Sequence, residues 1–577
     1  MSDNPYKWIQ RASSAGIING SLKAYSKAFY RLLYARGLKT ETEIEAFLDP
    51  SLDKLHDPFL MPGTRAAVDR IKQALAKNEK ILVFGDYDAD GIISAVLMYN
   101  FLGKIAGYPE IYIPDRINEG YDLSLEFLKS VSGKTDLVVC VDCGTNNKMS
   151  QEYVLNNSSS PDVIACDHHN PTLDKYNSDN KYIVVNPKLP GTEYPFRELS
   201  GAGVTFKFLI AVLRSLDEGQ KKIFCRDYLN SLLDLVAIST LADLMPLKGE
   251  NRILTSKGLK RIQKTSNQGL QTLIDISLPD VEKIGEYDIA FVLAPRLNAA
   301  GRVKDAMDSF RLLSDSDVDD HKIAKELDAC NIDRQGQQKD TFEEIITRND
   351  PASRIPGEKI FIEYSNRWNE GILGIVASDM VKEFNVPVIL FRERDGMLKG
   401  SGRSIQEFSL HDNLRKIKEL FTRFGGHDLA CGITMESARF DEFKEKMLSM
   451  ADRVLTDEDL VKKFKYDIEL DLDEISNGFI REMEMLRPFG RGNPSPSFLT
   501  RDCIIREVKR LKDGEHLKFF LDKGGKVREG IFFNVDECKR DMIFSGNTVD
   551  ILYDLGINFW MGKQTIQLII RDLFQKK

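Results

Sequence analysis

Three short apolar runs in this chain end in side chains that bind divalent cations. Ile81-Leu-Val-Phe84 leads into Asp86-Tyr-Asp88-Ala-Asp90-Gly91, Leu137-Val-Val-Cys-Val141 into Asp142, and Val163-Ile-Ala-Cys166 into Asp167-His168-His169. An open parallel sheet collects its ligands outside the carboxyl ends of its strands. Three strands that each deliver acids or histidines there are what a two-metal hydrolytic site needs. Two cations roughly 4 Å apart clamp the attacking and leaving oxygens of a phosphoryl displacement and lower the pKa of a bound water. Carboxylates and imidazoles suit Mn²⁺ or Mg²⁺, imidazole favouring Mn²⁺. Ions that close require several anionic ligands, with one bridging. Asp88, Asp90 and Asp142 are the natural candidates, Asp142 as the bridge. Asp243, in Leu241-Ala-Asp-Leu-Met-Pro246 after the apolar stretch Leu232 to Leu241, supplies a further acid. A lone aspartate in such a place is ordinarily a helix cap or turn residue. Four acidic loci with adjacent histidines, each after an apolar run, are not explained that way.

The elements that must position these groups follow from periodicity. A helix over 66–77 leads into a strand at 80–84, and 91–102 reads as the next helix. Strand signals recur at 110–113, 137–141, 163–166 and 182–185, and strands alternating with helices predict a parallel sheet. Two helical patterns, Ala24 to Ala35 and Thr40 to Phe47, precede it. Residues 307–347 are polar and helix-compatible, with Leu312, Ile323, Leu327, Ile332, Phe342 and Ile345 as anchors. A second α/β unit begins near Glu358-Lys-Ile-Phe-Ile and ends near 455. The last 110 or so residues alternate in places, as in Tyr466-Asp-Ile-Glu-Leu-Asp-Leu and Leu517-Lys-Phe-Phe-Leu, and Lys523-Gly-Gly-Lys526 reads as a hairpin turn. Several strands with short turns predict a small barrel.

At 577 residues the chain exceeds one core and predicts three or four domains. With 42% hydrophobic and 29% charged residues it reads as globular. No apolar run approaches the ~20 residues of a membrane span, and the N-terminus has no signal-like core, so no membrane partner and a cytoplasmic location are expected. The eight cysteines are scattered. Cys140-Val-Asp-Cys143 has no second pair, so it reads as reduced thiols rather than a zinc or redox site. A net charge of −8 would not by itself predict nucleic-acid binding. Phosphate contacts depend on local basic stripes such as Arg501 to Lys512, with Arg506, Lys509 and Arg510.

The order Asp-Tyr-Asp-x-Asp-Gly, Val-Asp-Cys-Gly, Asp-His-His and Ala-Asp-Leu-Met-Pro-Leu resembles the DHH phosphoesterase superfamily, and within it the RecJ-type single-strand-specific 5′→3′ DNA exonucleases. Leu199-Ser-Gly-Ala-Gly-Val204 and Pro295-Arg-Leu-Asn-Ala-Ala-Gly-Arg302 match family segments. Gly371-Ile-Leu-Gly-Ile-Val-Ala-Ser378, Gly400-Ser-Gly-Arg-Ser404 and Gly425-Gly-His-Asp-Leu-Ala-Cys-Gly432 resemble the DHHA1 substrate-binding domain. Pro488-Phe-Gly-Arg-Gly-Asn-Pro494 resembles the lead into the family's OB-fold. The resemblance spans roughly 60–577. It implies an α/β fold class: a parallel-sheet DHH domain and a smaller α/β DHHA1 domain joined by a helical segment, with a C-terminal β-barrel (OB-fold). The implied divisions are an N-terminal helical region 1–60, catalytic domain 61–306, connecting helix 307–350, DHHA1 domain 351–458 and OB-fold 459–577.

The resemblance also implies roles. His168 ligates metal, His169 faces the scissile phosphate, and Asp167 orients its neighbours. Many relatives carry a histidine where this chain has Phe84, so one of the two Mn²⁺ (or Mg²⁺) ions lacks a ligand, completed by water or Asp86. Arg116 lies in a segment near the 5′ end of the strand. Arg296 and Arg302 flank Asn298-Ala-Ala-Gly301, where small residues let a phosphate approach, and guanidinium pairing with phosphate is strong and directional. Arg403, Ser404 and a turn at Gly425-Gly426-His427 bind the trailing backbone. In the barrel, Phe519, Phe520, Phe532, Phe533, Tyr553, Phe559 and Trp560 are stacking candidates, each more often core. The expected partner is single-stranded DNA, alongside a helicase or single-strand-binding protein in repair and recombination, with the chain a monomer. Alternatives are a DHH phosphodiesterase for short oligonucleotides or cyclic dinucleotides, a pyrophosphatase, or a non-catalytic replication scaffold. The barrel argues against the small-substrate enzymes and the intact acids against the scaffold.

Overall fold

In the computed structural model, residues 6–11, 25–115, 122–173, 176, 180–225, 227–303, 305–354, 357–512, 515–535, 537–560 and 563–575 are described. The chain divides into two compact units, Pro50–Leu455 with Gly490–Asn493, and Met1–Asp49 with Thr456–Phe489 and Pro494–Lys577.

The larger unit opens on a five-stranded parallel sheet. Its order across the sheet is Glu110–Tyr112, Ile81–Gly85, Leu137–Val141, Asp162–Cys166 and Tyr182–Val185. These strands read as continuous apolar runs because both faces are covered. Ile81, Val83, Val139, Val141, Ile164 and Cys166 pack into the core shared with helices Ala89–Ala106 and Gly201–Ser215. Leu82, Phe84, Val138, Cys140, Val163 and Ala165 face the other way, toward Phe127, Leu128 and Val154. Numbered along the chain the order is 2-1-3-4-5, so the direction of winding reverses between the first and third strands, Ile81–Gly85 and Leu137–Val141. Such a switch point is where open sheets form their ligand crevice. Asp86 and Asp142 follow those two strands directly.

Helix Ala89–Ala106 is, among the described residues, the one helix long and apolar enough to cross a membrane. It is 72% buried within the protein, as a core helix must be. Helices Leu233–Ala242 and Gly249–Arg261 complete this body, and the 30-residue helix Asp320–Asn349 connects it to a second sheet. That sheet has the order Arg423–His427, Ala430–Glu436, Met397–Arg403, Val388–Arg394 and Phe361–Ser365, with the last pair parallel and the rest antiparallel.

In the smaller unit, Ser497–Leu511, His516–Lys523, Lys526–Phe532, Lys563–Gln575 and Thr548–Trp560 pair in succession, and Thr548–Trp560 pairs back to Ser497–Leu511 to close a barrel. Lys523 opposes Lys526 across Gly524 and Gly525, both at positive φ, as the hairpin reading requires. The expected helical N-terminus begins on a strand, Tyr6–Gln10, which pairs in parallel with Lys462–Tyr466. Helix Lys27–Ala35 buries Phe29, Leu32 and Leu33 in the barrel's own core cluster. No local signal in the sequence reveals this partnership, because the two segments lie some 450 residues apart. Phe519, Phe532 and Tyr553 are core residues, Phe520 is half-buried, and Phe533 is 47% exposed. The side chains of Phe559 and Trp560 lie outside the description. The basic stretch is largely neutralised within the barrel. Arg501 pairs with Glu469 and Asp550, Arg506 with Asp522, Lys509 with Glu507, and Lys512 with Glu515.

Candidate metal centre

The strand ends bring the predicted acids and histidines together. Nε2 of His168 lies 3.2 Å from Asp142 Oδ1, 3.7 Å from Asp243 Oδ2 and 3.9 Å from Asp90 Oδ2. Donor atoms of Asp86, Asp88 and Asp142 form a second group within 4.8 Å of one another, so Asp142 belongs to both. Phe84 is absent from this cluster because strand alternation turns it into the opposite apolar core, against Tyr112 and Phe127 with ring centroids 5.7 and 4.9 Å away.

Each candidate ligand is held by backbone that its neighbours fix. Asp88 caps helix Ala89–Ala106, its Oδ1 accepting from the N–H groups of Asp90 and Gly91 at 2.9 and 3.1 Å. Asp90 accepts from the N–H groups of Gly201 and Ala202, both at 2.8 Å in the first turn of helix Gly201–Ser215, and from Ser239 Oγ at 2.6 Å. Ser200 caps that helix and bonds Ser239. Asp142 adopts φ +63°, a left-handed conformation that costs a non-glycine residue about 1–2 kcal/mol. The turn is pinned by its own N–H to Cys166 O at 2.8 Å, by Tyr182 Oη to Gly144 O at 2.8 Å and by Thr145 N–H to Asp167 Oδ2 at 3.0 Å. At about 1 kcal/mol per bond these offset the strain. Asp243 ends helix Leu233–Ala242.

The two histidines are electrostatically different. Nδ1 of His168 is 3.0 Å from the Leu199 carbonyl, which can only accept, so Nδ1 carries the proton and a neutral ring turns the Nε2 lone pair toward the acids. Burial holds its pKa down at about 4. For His169 burial also acts downward, but Asp167, 2.8 Å from Nδ1, outweighs it and lifts the pKa to about 9. Asp167 thus favours the protonated form of His169 in the metal-free protein. Asp167 accepts from the backbone of His168, His169 and Thr145 as well; burial would raise its pKa, and the charge and hydrogen bond of His169 overcome that and hold it low. Asp167 thereby fixes the ring of His169.

The donor set fits divalent cations. Asp142 Oδ1 is buried and, among the described residues, accepts no hydrogen bond. A lone pair and three carboxylates converge on one point, and like charges 4 Å apart repel by roughly 4 kcal/mol at an effective dielectric constant of 20. Protons or metal ions must therefore enter. Burial and then the neighbouring acids push Asp142 far up, Asp88 up, and Asp243 up to about 8.

Two glycines leave the room this cluster needs. A Cβ on Gly201 would stand 2.4 Å from Asp142 Oδ1, and one on Gly91 would stand 2.5 Å from the Cβ of Asp86. Gly201, Ser200, Ser239 and Thr145 went unassigned by sequence reasoning, although Ser200-Gly-Ala-Gly203 had marked the segment.

The expected substrate residues fare unevenly. Asn298 accepts from the Ala89 N–H at 2.7 Å and lines a cavity of about 990 Å³ whose walls include Leu244, Phe291, Arg334 and Lys382. Arg296 Nε bonds Asp328 at 2.8 Å and its Nη1 the Val292 carbonyl, tying it to helix Asp320–Asn349. Arg116 and the side chain of Arg302 lie outside the described residues. Arg403 donates to Ser401 Oγ and sits at the first turn of helix Leu373–Phe384, where a Cβ on Gly374 would meet its Nη2 at 2.7 Å. Ser404 donates to the Phe408 carbonyl. Gly425, Gly426 and His427 lie in strand Arg423–His427 rather than in the expected turn, and a Cβ on Gly426 would stand 2.2 Å from Ala430 O.

A parallel sheet bearing this cluster defines a DHH-type phosphoesterase fold. The family models agree: "DHH family, N-terminal domain" matches residues 80–240, "DHHA1 domain" 357–456 and "RecJ OB domain" 466–572. Curated relatives named single-stranded-DNA-specific exonuclease RecJ are 34% identical in Bacillus subtilis (94% of this chain, 67% of the relative) and 34% in Dickeya dadantii (95% and 96%). The one in Escherichia coli is 31% identical (94% and 95%). The solved structure of Thermus thermophilus RecJ with Mn²⁺ aligns at TM-score 0.78 and 29% identity, covering 95% of this chain and 76% of that one. That of the same protein with Mg²⁺ aligns at TM-score 0.73 and 28% identity (95% and 74%). This chain belongs to the RecJ exonuclease family.

Proposed function

We propose that this chain is a metal-dependent exonuclease that hydrolyses single-stranded DNA from its 5′ end to 5′-mononucleotides, with Mn²⁺ or Mg²⁺ as its ions. The observation that carries this reading is the convergence of His168 Nε2 with the carboxylates of Asp90, Asp142 and Asp243 within 3.9 Å. In this reading Asp90, Asp142, His168 and Asp243 hold one cation, and Asp86, Asp88 and Asp142 a second. When bound, such ions supply Lewis acidity at the phosphate and a water of lowered pKa.

The protein's own contribution is positioning and charge. In this reading His169, whose ring Asp167 fixes, donates to a phosphate oxygen and stabilises the charge that develops there. Asn298 fixes the start of helix Ala89–Ala106 beside the cavity, and Arg403 with Ser404 is offered for the trailing backbone. Arg116, Arg302, Gly425, Gly426 and His427 complete the proposed substrate path. We assign catalysis to 61–306, its connection to 307–350, substrate binding to 351–458 and strand capture to the barrel from 459. The remaining context is a monomeric cytoplasmic enzyme of repair and recombination, working with a helicase or single-strand-binding protein.

The test is single-stranded DNA labelled at one end or the other, incubated with Mn²⁺ and either wild type or Asp142→Ala. Wild type should release the 5′ label as a mononucleotide, and the variant should lose several orders of magnitude. Release from the 3′ end would overturn the polarity; equal activity in both proteins would remove Asp142 from the site.

A further inference from the structure

The turn that presents Asp142 is held from a direction the reaction does not use. Asp122 lies just before helix Leu125–Val131, and its Oδ1 accepts from the Leu123 N–H at 2.9 Å and from the Gly144 N–H at 3.1 Å. The same junction is reinforced at Leu123, whose carbonyl accepts from Asn147 Nδ2 at 2.7 Å and Ser150 Oγ at 2.6 Å. Gly144 stands two residues beyond Asp142 at φ +98°, and a Cβ there would meet that of Ala165 at 2.9 Å. Its carbonyl is bound by Tyr182, so its N–H and C=O are gripped from opposite sides. With Asp142 itself at φ +63°, left-handed positions stand on either side of Cys143, and such geometry persists only where the surroundings over-determine it.

We propose that Asp122 is a positioning residue of the metal centre: its carboxylate oxygen clamps Gly144 and so fixes the direction in which Asp142 points. The proposal rests on the metal-centre reading above. It requires an acceptor oxygen at this place and no negative charge. Groups behind metal ligands commonly set affinity by 10–100-fold.

The test compares Asp122→Ala, which removes the acceptor, with Asp122→Asn, which keeps a carbonyl oxygen there, after circular dichroism establishes that both fold. Amide exchange over residues 141–147 is followed in the metal-free proteins, and Mn²⁺ affinity by electron paramagnetic resonance. Asp122→Ala should speed exchange and weaken Mn²⁺ binding, each by roughly tenfold or more, and Asp122→Asn should restore both to within about threefold of wild type. Wild-type exchange in Asp122→Ala would overturn the proposal, as would an asparagine variant as impaired as the alanine one. Exchange is read without metal, so it decides the role of Asp122 even if wild type bound no Mn²⁺, a result that would instead sink the metal-centre reading.

Discussion

Gly201→Ala adds one methyl group at the point where helix Gly201–Ser215 meets Asp142. The added Cβ would stand 2.4 Å from Oδ1 and 2.6 Å from Cγ of Asp142, where ordinary contact begins at 3.4 Å, so the carboxylate must retreat by about 1 Å. The Gly201 N–H to Asp90 stays, because it belongs to the backbone. Misplacement of about 1 Å in a reacting constellation costs on the order of 100-fold in rate, or about 2.7 kcal/mol of barrier. Fold stability should move much less. Alanine in a helix gains up to about 1 kcal/mol over glycine, against roughly 1–3 kcal/mol for the overlap. The assay is Mn²⁺-dependent release of a 5′ label with thermal melting measured in parallel. Gly336→Ala serves as control, since a Cβ there meets nothing within 4 Å. A Gly201→Ala enzyme with wild-type rate and wild-type Mn²⁺ requirement would refute the reasoning.

Three further outcomes follow from the same geometry. Because Asp243 is held up at about 8 and Asp142 is also raised, Mn²⁺ binding at pH 7 should release protons and tighten as pH rises toward 8; calorimetric heats that do not vary between buffers of different ionisation enthalpy would contradict this. Asp243 and His169, at about 8 and about 9, both lie above their ordinary 3.8 and 6.5, so the stability each adds to the metal-free fold is complete below the ordinary value and lost as pH climbs through the raised one. Metal-free melting temperature should accordingly fall between pH 6.5 and about 9, and Asp167→Asn should flatten the histidine part of that slope. Leu244 sits at φ +52° with its side chain 61% exposed, so Leu244→Gly should relieve strain and raise stability by up to about 1 kcal/mol in urea unfolding, whereas a loss of more than that would show the side chain packs.

Much of the site was legible because buried parallel strands announce themselves. Runs such as Leu137–Val141 have both faces covered, and the first polar residue after each marks the carboxyl end where ligands gather. The proximity of Asp86, Asp142 and His168 was thus legible from strand order, whereas Asp243 ends a helix. What escaped depends on contacts between distant segments. The pairing of Arg296 with Asp328, on another helix, has no local signal in the sequence. Gly425-Gly426 read as a turn because paired glycines usually are, yet both lie in a strand, where at Gly426 a Cβ would collide with Ala430 O. Gly201 and Asp122 matter through atoms 59 and 22 residues away in sequence, which no local pattern encodes. The N-terminal strand likewise gains its meaning from a partner at the far end of the chain.

The most direct test of the central claim is an anomalous difference map from crystals soaked in Mn²⁺. The account predicts a strong peak in coordination distance of Asp90, Asp142, His168 and Asp243, with a second beside Asp86 and Asp88 that shares Asp142. Strong peaks elsewhere in the protein and none among these side chains would contradict it.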